Sequence, residues 1–345
     1  MLETYNFTEL ETMLSQLFPD NSITFSELVT ECMNGKLNAK LIINILKSSL
    51  LSGIEESKNV FLMIVIIGIL SALFVNFGQM FENRQISDIA FYFMYLLLIT
   101  IIIKLFIVGK DIISNMMEQM LLFMKLLLPT YSLAVGIASG TATASGFYQM
   151  ALLIIYAIEN ILVRFFIPAS YFYVLLAVMN GLTPEERLTS ILEFIKRGIN
   201  FGLKAVIAIM TGMNLLHNML TPIIDSVQAT AFQKTISLVP GIGKIADSVS
   251  GLVLGSAVLI KNSIGVAALL ILVVISLVPI IKLCAITICF KLSAAIIGFT
   301  ADKRMTHCTG YAGDGSLFFL QIGLTVIALF FITIALVAIS TNRGF

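Results

Sequence analysis

The chain has 345 residues, of which 58% are hydrophobic and 12% are charged, and its mean hydropathy is +1.00. Soluble domains usually hold about 45–50% apolar and about 25% charged residues, so this composition indicates a membrane protein. The formal net charge of +1 gives no reason to expect nucleic acid or an acidic substrate as a ligand, because no basic stripe is available to neutralise phosphates.

Residues 1–58 differ from the rest of the chain, because they carry eight acidic and four basic side chains among apolar residues at helical spacing. Thr24 and Glu27 predict a capping box at the start of one amphipathic helix. A second such helix is predicted from Asn38 to Leu51. We therefore expect a small N-terminal helical region, 1–58, before a polytopic membrane domain, 59–345. The first residues lack the basic start and apolar core of a secretory signal.

Long apolar runs predict an all-α protein with about seven or eight transmembrane helices, since roughly 20 apolar residues cross a bilayer about 30 Å thick. Lys125 and Pro129 interrupt the third run, where a kinked helix is expected. The runs on either side of Arg164 form a tight hairpin or one long helix with a break. In chain order the runs are Val60–Phe77, Ile86–Val108, Met117–Ala138, Phe147–Val163, Phe165–Met179, Ile199–Leu220, Ser263–Phe299 and Leu317–Ser340.

An amphipathic helix is predicted over residues 183–197, with Thr183 as N-cap, Pro184 at the first helical position and Glu186 closing a capping box. We expect it to lie in the membrane interface, although a soluble helix between spans fits the same pattern.

Residues 223–262 mix polar residues with small and apolar ones, and they include a glycine-rich segment, 238–262. The mixture predicts a re-entrant or protein-buried helical pair, because backbone at membrane depth must be covered by protein or water. The apolar run that follows would be about 55 Å long as one helix, so we expect it to kink or break at Pro279.

Basic residues in short loops predict the orientation in the membrane. Arg187, Lys196, Arg197 and Lys204 surround the amphipathic helix, and Lys303 with Arg304 marks the next basic loop. Both groups are expected on the cytoplasmic side, which places the N-terminal region outside.

The sequence predicts no catalytic, cofactor-binding or metal-binding residues, and therefore no enzyme. Cys32, Cys284, Cys289 and Cys308 form neither a disulfide framework nor a zinc motif. His307 beside Cys308 fits loop polarity better than a metal ligand pair. The PGIGK string lacks the Ser or Thr and the glycine spacing of a phosphate loop.

Three glycine pairs with GxxxG spacing, Gly136/Gly140, Gly198/Gly202 and Gly251/Gly255, predict close helix packing inside the chain, with a subunit interface as the alternative. Lys282 either extends to the membrane surface or lines a pore or subunit contact. The candidate helix-packing or pore-proximal residues are Gly241, Gly243, Gly251, Gly255, Ser256, Lys261, Asn262, Pro279 and Lys282.

The stretches LVPGIGKIADSVSGLVLGSAVLIKNSIGVAALLILVVISLVPIIKL and KLSAAIIGFTADKR, with TPIIDSVQATAFQKTIS before them, resemble the stage III sporulation protein AE family of endospore-forming bacteria. The resemblance implies a multi-pass subunit, in the mother-cell membrane around the forespore, of a channel-like apparatus required for forespore development. The implied partners are other stage III membrane proteins of the same operon, including a secretion-type ATPase and ring-forming proteins, and a homo-oligomer is left open. The resemblance implies no catalytic residues.

Three hypotheses follow from these observations. The first is a non-enzymatic membrane subunit of a sporulation-specific transenvelope channel complex. The second is a self-sufficient secondary transporter for a small solute, with helices broken near Pro240 and Pro279. The third is a pure scaffold through which nothing passes.

Overall fold

The computed structural model describes residues 5–18, 24–35, 84–182, 187–236, 243–300 and 303–340, and the regular elements in these ranges are helices. They are α1 Thr8–Leu17, α2 Phe25–Met33, α3 Arg84–Ser139, α4 Thr141–Ala157, a π-helical segment Ile158–Phe166, α5 Ile167–Asn180, α6 Thr189–Ile236, α7 Gly243–Thr300 and α8 Lys303–Ser340. Within these ranges the predicted all-α class is confirmed. The predicted run Val60–Phe77, the predicted helix Asn38–Leu51 and the predicted caps at 183–186 lie outside the described residues.

The start of α2 confirms the capping box predicted from the sequence. The Thr24 hydroxyl accepts the Glu27 N–H at 3.3 Å, and the Glu27 carboxylate accepts the Thr24 N–H at 3.4 Å. These two bonds satisfy backbone donors that the first turn of a helix leaves without partners.

The described N-terminal helices pack on the membrane domain, with α1 against α3 and α2 against α7. The ring of Phe25, which is fully buried, lies 5.1 Å from the ring of Phe7 and 6.4 Å from that of Phe123 in α3. The Thr130 hydroxyl of α3 donates to the Asn6 carbonyl at 3.0 Å. The described N-terminal residues, 5–18 and 24–35, therefore share one hydrophobic core with the long helices.

The predicted spans Ile86–Val108 and Met117–Ala138 are parts of one helix, α3, which has 56 residues and is about 84 Å long. The prediction of a loop between them was wrong. The polar residues Lys110 and Asp111 pair with each other on the exposed side of α3, while Ile113 beside them is buried. The amphipathic helical pattern therefore continues through the segment that looked like a loop.

The predicted spans around Arg164 also form one continuous helical path, from Thr141 to Asn180. Arg164 lies in the π-helical segment that joins α4 to α5. Of the two predicted alternatives, the structure therefore shows the single long helix and not the tight hairpin. A π-helical turn accommodates an extra residue without ending the helix.

The helix α6 continues past Arg197, so residues 189–197 are its first turns rather than a separate helix. Its placement in the membrane interface stays a prediction.

The described parts of the predicted re-entrant pair extend the two neighbouring long helices, to Ile236 in α6 and from Gly243 in α7. The helix α7 continues through Pro279, so the predicted break there is absent. Within a bundle, neighbouring helices tolerate the hydrogen bond that an internal proline removes.

The last helix begins at Lys303, before the predicted span Leu317–Ser340. The predicted loop containing Lys303, Arg304 and the His307–Cys308 pair was therefore wrong. Cys308 is 2% exposed on this helix, because it faces the packed bundle.

Four helical runs in the described residues are long and apolar enough to cross a membrane, namely Thr141–Asn180, Thr189–Leu216, Gly255–Gly298 and Lys303–Ala338. The chain is therefore a membrane protein. The predicted count of seven or eight spans is not confirmed, since polar residues that looked like loops lie within helices.

Contacts between helices fix the directions of α3, α7 and α8. Along α3, Gly109 lies beside Leu283 and Tyr131 lies beside Gly265, so α7 runs antiparallel to α3. Lys291 pairs with Asp314, and Gly265 lies close to Ile334 of α8, so α7 and α8 form an antiparallel hairpin. The three helices share the centre of the buried core.

Candidate functional sites in two polar layers

The residues predicted as helix-packing or pore-proximal candidates lie along α7 and do not converge on one site. Gly241 lies outside the described residues, and Gly243 and Gly251 belong to the first turns of α7. Lys261 is buried. The partly buried candidates are Ser256, Asn262, Pro279 and Lys282.

Gly255 does not serve as a close contact between described helices of this chain. It is exposed, and a Cβ added there would meet no atom of the described residues within 4 Å. Close glycine contacts are found elsewhere: a Cβ at Gly202 would lie 2.6 Å from Phe166, and one at Gly315 would lie 3.0 Å from Phe106. A contact between Gly255 and another subunit stays a prediction.

Lys261 is the buried lysine of α7, with 0% of its surface exposed. Its Nζ has no hydrogen-bond partner among the residues that the structure describes. Ile260, Ile264 and Ala268 around it on α7 are also buried. The ammonium therefore lies in an apolar setting, in which an uncompensated charge is strongly unfavourable.

Tyr131 of α3 lies beside Gly265, one helical turn from Lys261 along α7. Its hydroxyl would be 2.8 Å from a Cβ at Gly265, so only glycine leaves room for it there. Lys261 precedes Gly265 by one helical turn, about 6 Å along the axis and on the same face. Tyr131 is 0% exposed, and its hydroxyl also has no partner within the described part of the chain.

A hydrogen bond between α6 and α8 lies close to Gly265. Asn214 donates to the Thr333 hydroxyl at 3.1 Å, and the neighbouring Ile334 contacts the Gly265 position. We call Lys261, Tyr131, Asn214 and Thr333 the Lys261 layer.

A second polar cluster, the Asp314 layer, consists of Asp314, Lys196 and Lys291. One carboxylate serves two ammonium groups: Asp314 Oδ2 lies 2.7 Å from Lys196 Nζ and Oδ1 lies 2.5 Å from Lys291 Nζ. Lys291 also donates to the Gly310 carbonyl at 3.1 Å. The Asp314 side chain is 8% exposed, whereas the two lysines are about half exposed. The layer links α6, α7 and α8 and keeps one excess positive charge.

On α6 and α8 the two layers are separated by about the thickness of a hydrocarbon core, whereas on α7 Lys261 and Lys291 are 30 residues, or about 45 Å, apart. On α6, Lys196 and Asn214 are 18 residues apart, and on α8, Asp314 and Thr333 are 19 residues apart. Both separations correspond to about 27–29 Å of helix, close to the roughly 30 Å of a hydrocarbon core. The matching separations show that α6 and α8 run parallel with nearly constant register.

The end of the bundle at the Asp314 layer is basic. Arg187 lies just before α6, Arg197 lies in its first turns, and Lys303 and Arg304 begin α8. The structure therefore places at one end the two basic groups that the sequence assigned to one side of the membrane. That this side is cytoplasmic stays a prediction.

Sequence reasoning missed Asp314, although the signal was present. It is the sole acidic residue in the sequence of α8, and a carboxylate in an apolar helix requires a partner. Its partners lie 118 and 23 residues away in the sequence, so no local motif reveals them.

The described residues contain no group of three or more His, Cys, Asp or Glu side chains that would hold a metal ion. The four cysteines are free thiols. Burial, and to a smaller extent the charge of Glu31, raises the pKa of the Cys32 thiol in α2. A raised pKa lowers the thiolate fraction on which nucleophilic reactivity depends.

Comparison with known proteins gives two matches. The family model for stage III sporulation protein AE matches residues 23–341. The chain is similar to the stage III sporulation protein AE of Bacillus subtilis (strain 168), with 22% identity over 265 residues, or 76% of this chain and 66% of that protein. The match thus spans slightly less than two thirds of the relative's length. No solved structure matches the chain.

Proposed function

We propose that this chain, which belongs to the stage III sporulation protein AE family, is a non-enzymatic membrane subunit of a sporulation-specific transenvelope channel that connects mother cell and forespore. The family gives the role in sporulation. The channel, its place in the mother-cell membrane and its partners, which include a secretion-type ATPase and ring-forming proteins of the same operon, are parts of the proposal. The observation that carries it is the bundle of helices long enough to span a membrane.

The centre of the bundle is filled by side chains, so the proposed passage lies between subunits. The rings of Phe106 and Phe319 stack at 4.6 Å, and Tyr173 meets Phe318 edge-on at 5.1 Å. These four aromatic side chains are fully or almost fully buried. A pore lined by several copies, or by this chain and its partners, needs no channel through a single bundle.

The exposed surface around Gly255 is the proposed site of contact between subunits. A glycine on an open helix face lets the backbone of another helix approach closely, which favours helix association in lipid. Ser256 beside it adds a small side chain that is partly buried.

A Gly255→Leu variant tests this proposal in sporulating cells. We expect the variant to accumulate normally, to lose co-purification with the other stage III proteins and to lower spore yield at least ten-fold. Gly198→Leu is the matched control, because in the described part of the chain Gly198 also has no atom within 4 Å of its Cβ position, but it lies on α6. Normal spore yield together with an intact complex in the Gly255→Leu strain would contradict the proposal.

The secondary transporter is the alternative function. It requires discontinuous helices around a substrate site, whereas α7 is continuous through Pro279. Solute flux into liposomes that contain this chain alone would favour the transporter over the channel subunit.

A further inference from the structure

Lys261 and Tyr131 are buried hydrogen-bond donors whose requirements the described residues leave unmet. The lysine ammonium offers three donors and no acceptor, and the tyrosine hydroxyl donates one hydrogen bond. Both side chains are 0% exposed, and neither polar atom has a partner in the described ranges. Two facing helices thus carry buried donors at positions about one helical turn apart along α7.

We infer that Lys261 and Tyr131 form an internal site for a small inorganic anion of about the size of a halide. An anion supplies the acceptor that both groups lack and the negative charge that the ammonium requires. Leaving the charge buried without a counter-ion would cost several kcal/mol, far more than a single hydrogen bond contributes.

The packing around the site limits the size of the ligand. The Tyr131 hydroxyl already lies against the backbone at Gly265, and Ile334 is 3.6 Å from the same Cβ position. Ile260 and Ile264 close α7 on either side of Lys261. Such a closed, apolar setting admits an ion of one or a few atoms and excludes a lipid phosphate, whose attached chains need an open path.

Chloride is the probe for the experiment. The purified full-length chain in detergent is titrated with sodium chloride against sodium gluconate at constant ionic strength, since gluconate is too large for the site. We expect the melting temperature to rise and saturate with chloride, as it does when a ligand binds only the folded state. Binding of ³⁶Cl to the wild type should saturate near one ion per chain.

Two substitutions identify the site. Lys261→Met should abolish the chloride dependence of the melting temperature, whereas Lys204→Met, at an exposed lysine of α6, should retain it. Tyr131→Phe should weaken ³⁶Cl binding about ten-fold, which corresponds to one hydrogen bond to an ion.

Absence of ³⁶Cl binding to the wild-type chain would overturn the inference, because it would mean that a neutral amine or a water molecule occupies this position. Unchanged ³⁶Cl affinity in Tyr131→Phe, or retained chloride dependence in Lys261→Met, would place the anion elsewhere. If Lys261→Met does not fold, the wild-type and Tyr131→Phe measurements decide the question. These measurements use the chain without its partners, so their outcome does not depend on whether the chain belongs to a channel.

Discussion

Asp314 and Lys196 join α8 to α6 through a 2.7 Å contact between Oδ2 and Nζ. The same carboxylate holds Lys291 of α7 through its other oxygen. Three long helices thus meet at one acidic side chain that is almost fully buried. Because apolar surfaces provide little directional preference within lipid, polar contacts of this kind fix the register of the helices.

Asp314→Asn should therefore destabilise the bundle by about 1–3 kcal/mol. The substitution leaves two ammonium groups near each other without their shared carboxylate. The cost stays below that of a fully buried pair, because about half of each lysine side chain is exposed to solvent. The measurement is the melting temperature of the purified protein in detergent.

Asp111→Asn serves as the control for this prediction. Asp111 pairs with the adjacent Lys110, and both side chains are about half exposed, so its loss should cost less than ~1 kcal/mol. Equal effects of the two substitutions would show that the Asp314 layer contributes no more than a surface ion pair.

A methyl group at Gly315 should also destabilise the protein, by about 1–3 kcal/mol, since it overpacks the core. A Cβ there would lie 3.0 Å from Phe106 and closer still to Val174. Gly198→Ala is the matched control, because the added methyl meets nothing and alanine is favoured over glycine in a helix by up to ~1 kcal/mol. Chemical unfolding of both variants should give shifts of opposite sign. A stabilised Gly315→Ala variant would contradict the packing at this position.

The sequence predicts the helical class, the membrane setting and one cap correctly, because these depend on local patterns. Apolar runs indicate lipid-facing or buried helices, and Thr24 and Glu27 form a capping box within four residues of sequence. The basic groups around Lys196–Arg197 and Lys303–Arg304 lie at one end of the bundle, and the side of the membrane that this end faces stays a prediction.

Helix ends and close contacts could not be predicted from the sequence, because they depend on partners distant in the chain. A segment that contains a charged residue next to an apolar run is interpreted as a loop unless the counter-ion of that residue is known, as Asp314 illustrates. Gly315 belongs to no GxxxG pair, yet it makes a closer contact than Gly255, which does belong to one. Spacing along one helix does not show which face meets a neighbour.

Phe25→Ala should release the N-terminal helices from the membrane domain. Phe25 is fully buried between Phe7 and Phe123, and removing a buried phenylalanine ring costs about 3–5 kcal/mol. We expect faster proteolysis within residues 5–35 with a smaller change in the melting temperature of the long helices, because the lost contacts hold a peripheral element. Gln16→Ala, at an exposed position of α1, should leave cleavage unchanged. Unaltered cleavage of Phe25→Ala would show that other contacts dock this region.

Lys125 of α3 forms an ion pair with Glu159 of the π-helical segment, and this pair tests whether that surface faces lipid. In water, the coupling free energy of a partly exposed ion pair is about 0–1 kcal/mol. In lipid, each unpaired charge costs about 2.5–3.5 kcal/mol on insertion scales, so the coupling should be larger. Both side chains lie on the outside of the bundle, with 47% and 37% of their surface exposed.

A double-mutant cycle with Lys125→Gln and Glu159→Gln in lipid nanodiscs measures this coupling. The control cycle uses Glu193 and Arg197, a more exposed pair one helical turn apart at the basic end, for which about 0.3–0.5 kcal/mol is expected. We expect the Lys125–Glu159 coupling to exceed the control at least two-fold, because water reaches the control pair from the membrane surface. Equal coupling in both cycles would mean that water also surrounds the Lys125–Glu159 pair, and that α3 and the π-helical segment meet a solvated surface there.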